Sequence, residues 1–203
     1  MRLNLLSNVE VFPLSMTNIQ ITKASTEQEL QGILDLQSAN LRKNLTQEEM
    51  ESQGFVTLEY DYDFIKAMPA GNHHIIAKDG EKVVGYVLLM DRSTNHLMKE
   101  GAGIFPIFHE IVHKGTRLGD TNYVSVGQVC VDKNYAGQGL LGRMYTAYKE
   151  SYKHLYDMAM TDISHRNKRS LKAHLKSGFE VVLRFDEPDA GEPWDIVIWD
   201  WRS

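Results

Sequence analysis

A single cysteine, Cys130, stands among 203 residues. One thiol cannot close an internal disulfide, so no cystine framework supports this fold, and a reducing, cytoplasmic setting is expected. Long apolar runs are missing as well. No stretch approaches the roughly 20 residues that cross a bilayer, so no membrane partner is expected. The opening MRLNLLSNVEVFPLSM lacks a clear basic start and carries Asn8, Glu10 and Pro13 where a signal peptide needs continuous apolar sequence. Basic excess is absent too. Lys and Arg number 22 against 27 Asp and Glu, for a formal net charge of -5, which argues against a nucleic-acid binder. There is no repeat, no low-complexity tract and no Pro/Gly/Ser linker. Residues 1–17 therefore read as a lead-in segment or an extra strand, and 18–203 as one domain. The chain does have 42% hydrophobic and 24% charged residues, enough for a sizeable core.

Periodicity sorts that material into elements. NIQITKA (18–24) alternates as a strand does. Ser25 with Gln28, or Thr26 with Glu29, has the spacing of a capping box, and Leu30, Ile33, Leu34 and Leu41 follow as an apolar helix face. Thr46 and Glu49 repeat the capping signal for a second helix. Residues 73–90 read as two strands around a turn at Asp79-Gly80. NYVSVGQVCV (122–131) is nearly continuously apolar, as a strand buried on both faces is. Leu141, Met144, Tyr145, Tyr148, Tyr152 and Leu155 fall at helical spacing. MAMTDIS (158–164) is a strand, 166–179 a helix stopped by Gly178, and EVVLRF and WDIVIWDW two closing strands. The expected fold is a layered α/β (α+β) domain with a mixed central sheet of about six to seven strands and helices on both faces.

The junction VCVDKNYAGQGLLGRMY (129–145) is where chemistry is expected. A buried strand ends, Gly137 and Gly139 make the turn, and an amphipathic helix begins. Glycines there let a ligand approach the backbone closely. The first helical amides lack internal partners and sit at the positive end of the helix dipole. Together they form a backbone cradle for a pyrophosphate. The dinucleotide fingerprint and the phosphate loop ending in Gly-Lys-Ser/Thr are both absent.

Two stretches resemble the GNAT superfamily of N-acetyltransferases. V-C-V-D-K-N-Y-A-G-Q-G-L-L-G (129–142) is similar to its acetyl-CoA pyrophosphate loop after the fourth strand. I-S-H-R-N-K-R-S-L-K-A-H-L-K-S-G-F (163–179) is similar to its Asn-bearing strand end, the next helix and the Gly-Phe that closes it. The resemblance covers roughly 19–185. It implies acetyl transfer from acetyl-CoA to a small-molecule or peptide amine by direct attack, with no metal. It implies cofactor contacts from Val129, Cys130 and Val131 on the strand and from Gly137, Gln138, Gly139, Leu140, Leu141 and Gly142 in the loop. It adds Asn167 and Ser170 beyond them. Direct attack needs a neutral amine, hence a base or water chain, and a backbone N–H for the oxyanion that develops. Family members are often homodimers. This chain departs at three positions. Leu141 stands where the family loop closes on Gly or Ala, with Gly142 one place late. Ala136 stands where the family usually has Arg or Gln. His174 stands where it often has a Tyr that protonates the leaving thiolate, which makes His174 the candidate general acid. An acyl-CoA-binding module with little catalysis is the alternative that these departures raise.

One motif points elsewhere. His109-Glu110-Ile111-Val112-His113 spells the HExxH of zinc proteases, and GIFPIFHEIVHKG reads as a helix with Pro106 in its first turn. His109 and His113 would then share a face. The third ligand is missing: the positions of the longer pattern hold Thr116 and Gly119. A metalloprotease is thus a remote alternative. Within the acetyltransferase reading, Glu110 is a candidate base, with His109 and His113 as substrate-facing neighbours.

Overall fold

The computed structural model describes residues 18–68, 73–98, 104–187 and 191–202; the lead-in segment 1–17 lies outside them. In chain order the elements are β1 (Ile19–Lys23), α1 (Glu27–Asn40), α2 (Gln47–Gln53), α3 (Tyr62–Ala67), β2 (Ile75–Asp79), β3 (Lys82–Met90) and α4 (Ile104–Glu110). A two-stranded ribbon follows, β4 (Val112–His113) with β5 (Thr116–Arg117), then β6 (Tyr123–Val131), α5 (Leu140–Tyr152), β7 (Met158–Ser164), α6 (Lys168–Lys176), β8 (Glu180–Glu187) and β9 (Glu192–Asp200). Seven strands form one mixed sheet in the order β1-β2-β3-β6-β7-β9-β8. Only β6 and β7 pair in parallel; the other neighbours are antiparallel.

Both expected capping boxes form. The Glu29 amide donates to Thr26 Oγ1 (3.2 Å) and the Thr26 amide to Glu29 Oε2 (3.1 Å), so the register starting at Thr26 sets α1. Thr46 and Glu49 do the same for α2. Glu29 is more than a cap. Lys78 of β2 reaches its Oε1 at 3.0 Å. Burial pushes this carboxyl up, but the Ser25 and Thr26 amides and Lys78 outweigh it and hold the pKa at about 2.

The sheet buries both faces. α1, α3 and α4 cover the front, packing on Tyr86, Cys130, Met158, Met160, Ile196 and Ile198. α5 covers the back with Met144, Tyr145, Tyr148 and Tyr152, joined by Val124, Ala159, Val197, Phe179 and Trp201. The tyrosine stripe read from the sequence is therefore core. Leu155 departs from that reading: α5 ends at Tyr152, and Leu155 is 40% exposed.

HEIVH departs further. α4 stops at Glu110, and His113 lies in β4. His109 and His113 are therefore not one helical turn apart on a common face, and the zinc-protease geometry does not form. A glycine turn follows His113 at Lys114-Gly115, and the chain doubles back so that Val112 pairs Arg117. His113 Nε2 sits 3.3 Å from Glu180 and 3.5 Å from Asp200, where the ribbon lies against β8 and β9. Among the described residues no cluster of three His, Cys, Asp or Glu can hold a metal ion, and no helix is long and apolar enough to cross a membrane.

Candidate active site

The site begins where the parallel pair fails. β6 and β7 run together from Tyr123–Met158 to Ser125–Met160 and pair no further. Beyond that point β6 stays with β3 and β7 stays with β9, so the sheet opens between them. A bulge accompanies the split. Val87 faces Val129 while Leu89 faces Val126, so β6 carries one residue more than β3 and turns outward. Two hydroxyls hold the fork: Thr161 donates to the Val126 carbonyl (2.9 Å) and Tyr60 to the Gly127 carbonyl (3.1 Å).

Backbone direction follows by alternation. The Asp132 amide donates to Val84 of β3 (2.9 Å), so Cys130 also turns its backbone toward β3. Val129 and Val131 turn theirs into the opening. These are edge groups of the kind that an extended molecule with its own amides can pair.

At the end of β6 the loop is pinned. Asp132 accepts from Lys82 (2.7 Å) and from the Asn134 amide (3.0 Å), and the Tyr135 hydroxyl donates to Asp79 (2.6 Å). Gly137 and Gly139 both adopt the left-handed conformation, with φ of 77° and 76°, which glycine alone accepts freely. The first bond inside α5 runs from the Arg143 amide to the Gly139 carbonyl (3.2 Å). The amides of Leu140, Leu141 and Gly142 precede it and have no carbonyl within the helix. A Cβ built on Gly137, Gly139 or Gly142 meets nothing within 4 Å, so space is open in front of the cradle.

A cleft of about 550 Å³ joins these parts. Its lining contains every cofactor residue read from the sequence except Gln138, whose side chain donates to the Asn134 carbonyl at the surface. It also contains residues that reading passed over. Asn40, Phe55 and Val56 come from the α1 and α2 segments, and Arg169, Lys172 and Lys176 from α6. The three cations are spaced by three and four positions, one face of a helix. That pattern was legible; only the fold says the face looks into a cleft.

Asn167, Ser170 and His174 are already engaged within the fold. Asn167 caps the helix by accepting from Ser170 (3.2 Å) and donates to the Phe55 carbonyl (2.7 Å). His174 is 1% exposed. Its Nδ1 lies 2.8 Å from the Ser170 carbonyl, so that nitrogen bears the proton; its Nε2, 2.7 Å from the Tyr145 hydroxyl, accepts. Burial lowers its pKa to about 4, against the Ser170 bond that raises it. His174 is thus a neutral imidazole whose one proton points at its own helix. Cys130 lines the cleft with a buried thiol, and burial raises its pKa to about 12. Glu110 lies elsewhere: it pairs with Arg117 and lines a separate groove with Ile107, Val182 and Leu183.

On the front face, beside the opening, is a residue the sequence reading did not single out. Asp162 lies two positions beyond Met160 on β7, so both face α1–α3. Its register partner Ile196 sits in the front core. Burial, together with the Asp162 charge, raises the pKa of Tyr60. The phenol is neutral, and its proton is donated to Gly127.

An opened parallel pair running into a backbone anion cradle defines a site for a long molecule with amides toward one end and phosphates toward the other, as an acyl-CoA has. The chain belongs to the Acetyltransferase (GNAT) family, whose model matches residues 39–179. Acetyl-CoA is the co-substrate of that family, and the open glycine cradle and edge amides fit it. The fold is that of solved N-acetyltransferases. The NatC complex bound to Gag peptide and CoA aligns with a TM-score of 0.62 at 13% identity, over 90% of this chain and 98% of that one. The ribosomal-protein-S18-alanine N-acetyltransferase of Escherichia coli aligns at 0.57 and 10%, over 90% and 93%. Arabidopsis thaliana Naa50 in complex with the bisubstrate analogue CoA-Ac-MVNAL aligns at 0.57 and 13%, over 89% and 97%. Comparison with curated proteins gives no match.

Proposed function

We propose that this protein is an N-acetyltransferase that moves the acetyl group of acetyl-CoA to an amine entering from the front face. One observation carries the reading: the β6–β7 opening and the α5 cradle share one cleft, and Asp162 stands on β7, the strand on the other side of that opening. Acetyl-CoA supplies an activated thioester. The chain's own groups do the rest. Amides 137–142, with Arg169, Lys172 and Lys176 opposite, hold the phosphates. Val129 and Val131 align the arm along β6. The amine nitrogen forms its bond to the acetyl carbon as the carbon–sulfur bond breaks. The amine loses one proton and the thiolate gains one.

Asp162, directly or through one water, takes the amine proton. Glu110, paired with Arg117 in a separate groove, is not given that part. His174 has no proton directed into the cleft, so solvent at the cleft mouth protonates the thiolate. The test is CoA release over a panel of amines, beside a thermal melt with acetyl-CoA. Asp162→Asn lowers kcat by about 10²–10⁴ and leaves the acetyl-CoA melt shift intact. Unchanged kcat removes Asp162 from the chemistry.

The engaged nitrogens of His174 and the short side chain of Ala136 favour a second reading, an acyl-CoA-binding module with little turnover. A melt shift without CoA release from any amine selects it.

A further inference from the structure

On the front face, just beyond Asp162, a charge network is built around a buried carboxylate. Glu192, the first residue of β9, is 4% exposed. A carboxylate taken out of water must be paired, and this one is paired in excess. Arg42 grips it with both nitrogens (2.8 and 3.2 Å), Ser164 donates at 2.6 Å, and Arg166 Nε lies at 2.8 Å. Burial alone raises the Glu192 pKa, but Arg42, Ser164 and Arg166 hold it below the usual range. Two guanidinium groups against one carboxylate leave a local positive charge, in a chain whose net charge is -5.

The two arginines are not equivalent. Arg42 is bidentate on Glu192, packs over the Phe55 ring at 5.2 Å, and keeps only 31% of its side chain exposed. Arg166 is fastened through Nε and is 67% exposed, so its outer edge faces solvent with its direction fixed from below. A guanidinium held that way is preorganised for a planar anion.

Trp194 is a second, independent sign. It pairs with Ser164 across β7–β9, so both side chains stand on the same face. Its indole Nε1 is buried and has no partner among the described residues, although an indole N–H is a donor only. A carboxylate or carbonyl oxygen at this spot satisfies it. Spacing supplies the third element. Asp162 and Ser164 are two residues apart on one face of a strand, about 7 Å.

We propose that the acceptor is an amine that also bears a carboxylate a few bonds away, and that Arg166, with Trp194 beside it, selects that carboxylate while the amine lies at Asp162. This rests on the acetyltransferase reading above. A polyamine or a lysine-rich peptide is a poor fit, because its second cation meets the Arg42–Arg166 pair. Two sources share the required chemistry: a free amino acid with its own carboxylate, and a peptide N-terminus with an acidic side chain.

The experiment measures kcat/KM of the full chain at saturating acetyl-CoA, corrected for the fraction of neutral amine. The acceptors come as pairs that differ only in charge: glycine with glycinamide, and a Glu-first peptide with its Gln-first counterpart. Spermidine is added as a cationic acceptor. The expected result is a preference of about tenfold or more for the anionic member of one pair, the size of one charge-assisted hydrogen bond. Which pair shows it identifies the source. The preference weakens as salt rises. Arg166→Gln brings the ratio to about one through KM, with the acetyl-CoA melt shift retained as evidence of folding. Arg184→Gln is the control. Arg184 pairs with Asp195 on the opposite face of the sheet, and losing the same charge there keeps the ratio. Equal or better turnover of the neutral or cationic acceptors overturns the proposal, as does a ratio that survives Arg166→Gln. Turnover without preference sinks this inference alone; no turnover of any amine sinks the acetyltransferase reading with it.

Discussion

At the residue scale, the cradle depends on two backbone angles. Gly139 caps α5 from the left-handed region, and an added Cβ there meets no neighbour. Gly139→Val is therefore penalised by conformation and not by collision. The left-handed conformation costs an L-residue roughly 1–2 kcal/mol, which for a chain of this size is a fall in Tm of about 2–8 °C. If the loop instead relaxes to a negative φ, the amides turn away from the cleft and the acetyl-CoA melt shift disappears. Melts with and without acetyl-CoA separate the two effects, and a variant with unchanged Tm and unchanged shift contradicts the cradle. The glycines were readable in the sequence because their chemistry is local. Asp162 and Arg166 were not. Nothing in TDISHRN marks one acid and one base out of the chain's many; a strand register and a partner on β9 do that.

At the scale of elements, α5 and α6 are joined through one hydrogen bond between buried side chains, Tyr145 to His174 at 2.7 Å. The Tyr145 ring also lies 5.5 Å from the His174 ring and 5.1 Å from Phe179. Tyr145→Phe keeps those contacts and removes the donor, leaving Nε2 buried and unpaired. The expected loss is about 1–3 kcal/mol, read from urea unfolding, with kcat little changed. A large fall in kcat at full stability would instead return His174 to the chemistry through a Tyr145 relay. α4 is the opposite lesson about elements. HEIVH has the spacing of a helix, but the helix ends before its second histidine because Ile111 turns back to the Phe108 carbonyl (3.3 Å) and the ribbon begins. Five letters at helical spacing do not make a helix when a glycine turn folds the chain back into a ribbon at the second histidine.

Across the whole molecule, stability has a pH signature. His74 ties α3 to β3, its Nε2 donating to the Ile65 carbonyl and its Nδ1 accepting the Leu89 amide, both at 3.0 Å. Burial lowers its pKa to about 4, as burial does for His174. Both imidazoles are neutral in the fold and titrate near 6.5 when unfolded. A depressed histidine contributes stability that is complete above about 6.5 and is lost as pH falls toward 4. Glu29 follows at lower pH: it is held at about 2 against an ordinary 4.5, so its contribution is present above 4.5 and fades between there and 2. Urea unfolding should be flat from pH 8 to 7 and fall in two stages below. His174→Phe should flatten part of the first stage. A curve that stays level from pH 7 to 4.5 rules out both buried histidines as its cause.

The sequence by itself determined the seven sheet strands in order with α1, α2, α5 and α6 between them, though not α3 or the β4–β5 ribbon, together with both capping boxes, the tyrosine stripe, the sheet's buried fourth strand and the glycine turn before α5. Each of these is written in neighbours along the chain, through side-chain period, capping geometry or a backbone angle only glycine accepts. The tertiary structure decided the rest. The β6–β7 split, the bulge that opens it, the face on which Asp162 stands, the cationic wall of α6 and the Arg42–Glu192–Arg166 network all join residues far apart in sequence. The physical reason is burial. A carboxylate such as Glu192 becomes informative only when water is removed from it, and which residues lose their water is a property of the packed fold.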